Sequence, residues 1–119
     1  MPATDVIFYR ENEKVLFQEW VKGLPVKARA KCLSYVEMLE QSGHELRRPV
    51  AGFLRDGIYE LRPTTQGVNY RILYAFVGKQ VVIVTHGIIK EAEVPDVEIN
   101  RAIERVKRYK SDPKLYGVK

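Results

Sequence analysis

DGIYELRPTTQGVNYRILYAFVGKQVVIVTHG, Asp56 to Gly87, contains three β-rich runs and sets the frame for the rest of the chain. Asp56-Gly57, Gln66-Gly67 and Gly78 punctuate IYELRP, VNYRILYAFV and QVVIVTHG at the spacing of consecutive hairpins, which predicts an antiparallel meander. A period of two puts Ile58, Glu60 and Arg62 on one face of the first run, with Tyr59 and Leu61 on the other. In the second run Arg71, Leu73, Ala75 and Val77 lie opposite Tyr70, Ile72, Tyr74 and Phe76. The bulkier set suits a helix-covered core, which leaves Arg71 on the open face. Its tyrosines, with Tyr59, read as core before they read as a surface for stacking bases. His86 ends the third run, with Gly87 and Lys90 beyond it. In simple register, Arg62, Arg71, His86 and Lys90 converge on one open region.

Before the meander, Thr4 to Arg10 predicts a first strand. Leu16, Phe17, Trp20, Val21 and Leu24 make the apolar face of a helix that ends at Gly23 and Pro25. Ala28, Cys32, Tyr35, Val36 and Leu39 continue the 3.6-residue period in a second helix up to Gly43. Leu46 to Arg55, with its charges, Pro49 and Gly52, reads as an irregular connection. After the meander, Pro95, Asp96 and Glu98 open a last helix that Lys107, Arg108 and Lys110 close, a charge order that matches the helix dipole. The expected order is βααβββα: an α+β domain over 1–119, with a small mostly antiparallel sheet, helices on one face and a flexible basic tail over 111–119.

The 119 residues, 45% hydrophobic and 29% charged, suit one globular domain. No apolar run approaches a membrane span and no leader pattern opens the chain, so a cytoplasmic protein is expected. The single cysteine, Cys32, falls on an apolar helix face and reads as a small core residue. Residues 101–119 hold seven Lys/Arg against Glu104 and Asp112, which accounts for the whole net charge of +5. Within that segment Arg101, Arg105 and Arg108 make a basic stripe, either an RNA-binding surface or a solvated helix face.

Two histidines and one cysteine give no recognisable metal-ligand spacing, and no glycine-rich phosphate loop or nucleophile triad is readable. No metal or cofactor is expected. The remaining chemistry is cationic. Arginine forks match phosphate oxygens, histidine can carry a proton near neutral pH, and RNA supplies its own nucleophile as the 2′-hydroxyl. Each residue also has a plain structural reading: Arg62 paired with Glu60, Arg71 in a buried salt bridge, His86 as a satisfied strand-end histidine.

The runs D-G-I-Y-E-L-R-P, Y-R-I-L-Y, T-H-G-I-I-K and P-D-V-E-I-N-R-A, in this order, resemble the RelE/HigB superfamily of bacterial toxins, and more narrowly its phage-associated HigB-like branch. The likeness runs from Val6 to about Tyr109. It implies a RelE-like fold and a toxin of a type II toxin–antitoxin system, a metal-independent endoribonuclease that cuts messenger RNA on the ribosome. A cognate antitoxin, often of helix-turn-helix type, would neutralise it. On the matching positions Arg62 and Arg71 would stabilise the phosphate, and His86 and Lys90 would belong to the strand-end part of the site. The chain departs from the branch at Ile88, where an aromatic is common, and at Glu91, where a second lysine often stands. The proton-transfer residue that many relatives carry near the C-terminus has only Tyr109 and Tyr116 as counterparts. Two rival functions follow: a ParE-like inhibitor of DNA gyrase, or a degenerate protein that binds only antitoxin or RNA.

Overall fold

Two residues with positive φ, Asn12 and Glu13, fold the chain's first strand back on itself. In the computed structural model, which describes residues 4–90 and 92–119, this strand is β1, Asp5–Glu11, and its short partner is β2, Lys14–Val15. Helices α1, Leu16–Lys22, and α2, Val26–Ser42, follow as expected, separated at Gly23 to Pro25. A 3-10 turn over Gly43–Glu45 then leads to β3, Ala51–Arg55. The meander comprises β4, Ile58–Leu61, the two-residue β5, Thr64–Thr65, β6, Val68–Val77, and β7, Val81–Ile89. Helix α3, Asp96–Ser111, a single turn α4, Pro113–Tyr116, and β8, Gly117–Val118, complete the chain.

The sheet runs β2-β1-β7-β6-β4-β3, with β5 beside β6 and β8 beside β1. Among the described residues only β1 and β7 pair in parallel; the other pairings are antiparallel. The fold is therefore α+β with a mixed sheet, as the order of elements predicts. Among the described residues no helix is long and apolar enough to cross a membrane.

Three details differ from the sequence-based expectation. First, the segment read as irregular contains the edge strand β3. Asp56 and Gly57 both have positive φ, 51° and 81°, the pattern of a two-residue hairpin turn, so this pair joins two strands rather than opening one. Pro49 lies ahead of the strand and interrupts no ladder bond.

Second, the helices do not share a face. Helices α1 and α2 bury Phe17, Val21, Cys32 and Leu39 against Ile72, Tyr74, Val82 and Val84. The other face carries α3, whose Ile99, Ala102, Val106 and Tyr109 pack on Tyr9, Leu73, Ala75 and Ile83. Leu73 and Ala75 are modest in size but still apolar, and an apolar face of that extent must be covered. Arg71 shares this face, so it lies in a covered region and is only 6% exposed.

Third, the chain after Ser111 is not a free tail. The Asp112 side chain accepts from the Leu115 N–H at 3.2 Å, Tyr116 stacks on Tyr9, and β8 pairs with β1.

One irregularity positions a side chain. The β6–β7 register slips between Leu73 and Tyr74, pairing Leu73 with His86 but Tyr74 with Val84. Thr85 is the extra residue of the bulge, and the slip brings His86 onto the face of Leu73 and Ile83. Gly87 then faces α1, where a Cβ would strike the Trp20 ring.

Candidate functional site

Glu60 is at the centre of a charged cluster because of strand register. It pairs with Leu73 across β4 and β6, so Arg71, two residues before Leu73, is its diagonal neighbour within reach of a long side chain. Arg62 is two residues along β4's direction and projects to the same side. Arg62 donates to Glu60 Oε2 at 2.6 Å, while Arg71 Nε lies 3.4 Å from Oε1 and another Arg71 nitrogen donates to the Tyr70 carbonyl at 2.7 Å. Glu60 is 3% exposed, so one buried carboxylate holds two guanidinium groups.

These residues line a cleft of about 990 Å³ between the β3–β4 edge of the sheet and the start of α3. Arg48 joins them in it. Its guanidinium lies close over Gly52, where a Cβ would come within 3.2 Å, so the bare backbone of β3 gives it room. Among the described residues Arg48 forms no ion pair, and three arginines therefore gather around one acid. At the other end Arg55 pairs with Asp56 and with Asp96, and Glu93 also lines the wall, so acids outnumber the arginine there. Burial, followed by repulsion from Arg62, lowers the Arg71 pKa against the attraction of Glu60. The Arg48–Arg62–Arg71 end thus holds surplus positive charge that an anion would relieve.

His86 is elsewhere. It is 7% exposed beneath α3, with Nδ1 3.0 Å from the Thr85 hydroxyl and Nε2 3.1 Å from Glu98. Burial, then the positive charge of Arg105, depresses its pKa to about 4 despite the bond to Glu98. The ring is neutral at pH 7, which fits Nε2–H donating to Glu98, while the Thr85 hydroxyl beside Nδ1 also has the Leu73 carbonyl within reach at 3.2 Å. Glu98 also accepts from Arg101 at 3.0 Å. His86 does not line the cleft, and neither does Lys90, although the Lys90 backbone N–H donates at 2.9 Å to Asn69, a residue of the cleft wall. The four residues expected to converge therefore separate into two in the cleft, one on its flank and one beneath α3.

The basic stripe on α3 is largely engaged: Arg101 with Glu98, and Arg108 with Glu11 at 2.8 Å. Arg105 is half-buried, and burial lowers its pKa. None of the three lines the cleft. Glu91, the departure from the HigB-like pattern, lies outside the described residues, and Ile88 packs toward the α3 core. Among the described residues no three His, Cys, Asp or Glu side chains group as a metal site.

Two residues of the cluster went unassigned from the sequence. Glu60 shares Arg62's face, which is visible in the alternation, but its role as a common acceptor needs the β4–β6 register. Arg48 precedes a proline in a segment with no periodicity, and nothing in its neighbours marks it.

A search of curated proteins found no match to the chain. The family model described as "Phage derived protein Gp49-like (DUF891)" matches residues 19–107, from within α1 to within α3, and so spans every arginine of the cleft. The chain belongs to this Gp49-like family of phage-derived proteins, a family associated with RelE-like toxins.

Proposed function

We propose that the chain is the toxin of a type II toxin–antitoxin system, of the HigB-like branch, and that it cleaves messenger RNA without a metal while the message is on the ribosome. The observation that carries this reading is the gathering of Arg48, Arg62 and Arg71 around Glu60 at one end of a cleft whose acids Glu93 and Asp96 lie at the other. A phosphodiester placed there meets two guanidinium forks whose orientation Glu60 fixes in advance, so little reorganisation accompanies binding. The RNA 2′-oxygen attacks phosphorus, the bond to the 5′-oxygen breaks, and the products end in a 2′,3′-cyclic phosphate and a 5′-hydroxyl. One proton leaves the 2′-hydroxyl and one reaches the departing oxygen. Arg62 and Arg71 stabilise the charge that builds on the phosphorane, and Glu60 acts as a positioning residue. His86, neutral and beneath α3, is not carried forward as proton donor, and Lys90 is kept as a contact at the flank. An antitoxin would neutralise the protein.

The experiment is induction of the chain in cells without a partner, with the ends of transcripts mapped. Growth arrest with new 5′-hydroxyl ends in messages, both lost in Arg71→Ala, is the expected result. Arrest with DNA damage and intact messages would instead mean a gyrase-directed toxin and would overturn the proposal. A second reading is favoured by one observation: among the described residues no histidine lines the cleft. On that reading the protein binds RNA without cutting it, and messages stay intact while being retained on the protein.

A further inference from the structure

Beyond the edge strand β3 a second cavity, of about 420 Å³, opens on the α2 side of the sheet. Arg48 and Phe53 line both this cavity and the cationic cleft, so the two are continuous around the β3 edge. Its walls are aromatic. Phe53, 56% exposed, meets Tyr59 edge-on with centroids 5.1 Å apart, Tyr59 meets Phe76 at 5.2 Å, and His44 stacks on Phe76 at 3.6 Å. Arg47 and Arg48 are its charged members, and among the described residues no acid lines it. The Arg47 guanidinium donates only to the His44 and Leu46 carbonyls, which leaves its charge uncompensated among the described residues.

We infer that this aromatic shelf is a stacking platform for the bases of single-stranded RNA whose backbone occupies the cleft. The inference rests on the RNA-binding reading and extends it from the phosphate to the bases. An exposed aromatic ring beside uncompensated arginines offers each nucleotide what it requires, a π-face for the base and a cation for the phosphate. A protein segment laid on the same shelf would leave Arg47 and Arg48 without an acid unless it supplied one, and the platform requires no such addition. Phe53 contributes most. Tyr59 and Phe76 are half-buried and hold it from behind.

The test measures affinity by fluorescence anisotropy for a short 2′-O-methyl oligoribonucleotide, which cannot be cleaved, and for the same strand with abasic positions at its centre. Wild type should prefer the base-bearing strand by about tenfold, Phe53→Ala should lose that preference, and Phe53→Tyr should keep it. If Phe53→Ala discriminates as wild type does while Arg71→Ala weakens both strands, the platform is wrong and the RNA reading stands; the shelf is then a surface for a protein partner. If wild type binds neither strand, the RNA reading and the platform both fall.

Discussion

Two charged clusters lie on the same face of the sheet and use the same kinds of residue, yet they end in opposite states. Around Glu60, two bonded arginines and a third nearby outnumber the acid, and the cluster opens into a cleft. Around Glu98, a neutral histidine and Arg101 are bonded to the acid and Arg105 lies near, but the histidine is closed beneath α3. The difference shows that residue type does not mark a site. Access from solvent does, because only surplus positive charge that an anion can reach gains by taking one.

The comparison breaks most readily at its acids. Replacing Glu60 by Ala leaves two guanidinium groups without their shared acceptor and should cost about 3–5 kcal/mol, read as a lower urea midpoint. A midpoint near wild type would mean that Glu60 does not hold the pair. Arg71→Ala should cut RNA cleavage by about 100-fold or more while the protein remains folded, measured as single-turnover rates. Retention of most of the rate would remove Arg71 from the site.

The His86 cluster answers to pH. The folded ring has its pKa depressed to about 4, so between that value and 6.5 the unfolded chain binds a proton that the folded chain does not. Burial works to raise the Glu98 pKa, but the bonds from Arg101 and His86 hold it below its ordinary value, and this effect has the same sign. Stability is therefore present at pH 7 and lost as pH falls, by roughly 3 kcal/mol between pH 7 and pH 4. His86→Gln should flatten that limb in urea titrations across pH; an unchanged limb would place the titration elsewhere. The smallest effect is expected at the exposed Arg108–Glu11 pair, where Arg108→Ala should leave the urea midpoint close to that of wild type. A larger loss would show that the α3 stripe supports the fold more than an exposed ion pair can.

The local patterns of the chain specified much of this architecture. The meander strands, both early helices and α3 follow from period and punctuation, since each signal is short-range and Gly78, Gly67 and the Gly23–Pro25 break are unambiguous. The side of the sheet that α3 covers is set by a connection whose residues carry no periodicity. The position of His86 depends on a single-residue bulge at Thr85, and one residue of slip moves a side chain to the opposite face. Of the candidate site, Arg62 and Arg71 could be singled out as charges in strands that are otherwise largely apolar. Glu60's shared role and Arg48's arrival are products of pairing between strands, which no local window contains.

The central claim is that surplus positive charge in the cleft binds the RNA backbone, and the salt dependence of affinity measures it most directly. With a non-cleavable single-stranded oligoribonucleotide, the slope of log affinity against log salt should be shallower by roughly 0.7 in Arg62→Ala and again in Arg71→Ala, one phosphate contact each, while Arg108→Ala keeps the wild-type slope. Identical slopes in all four proteins would contradict the account.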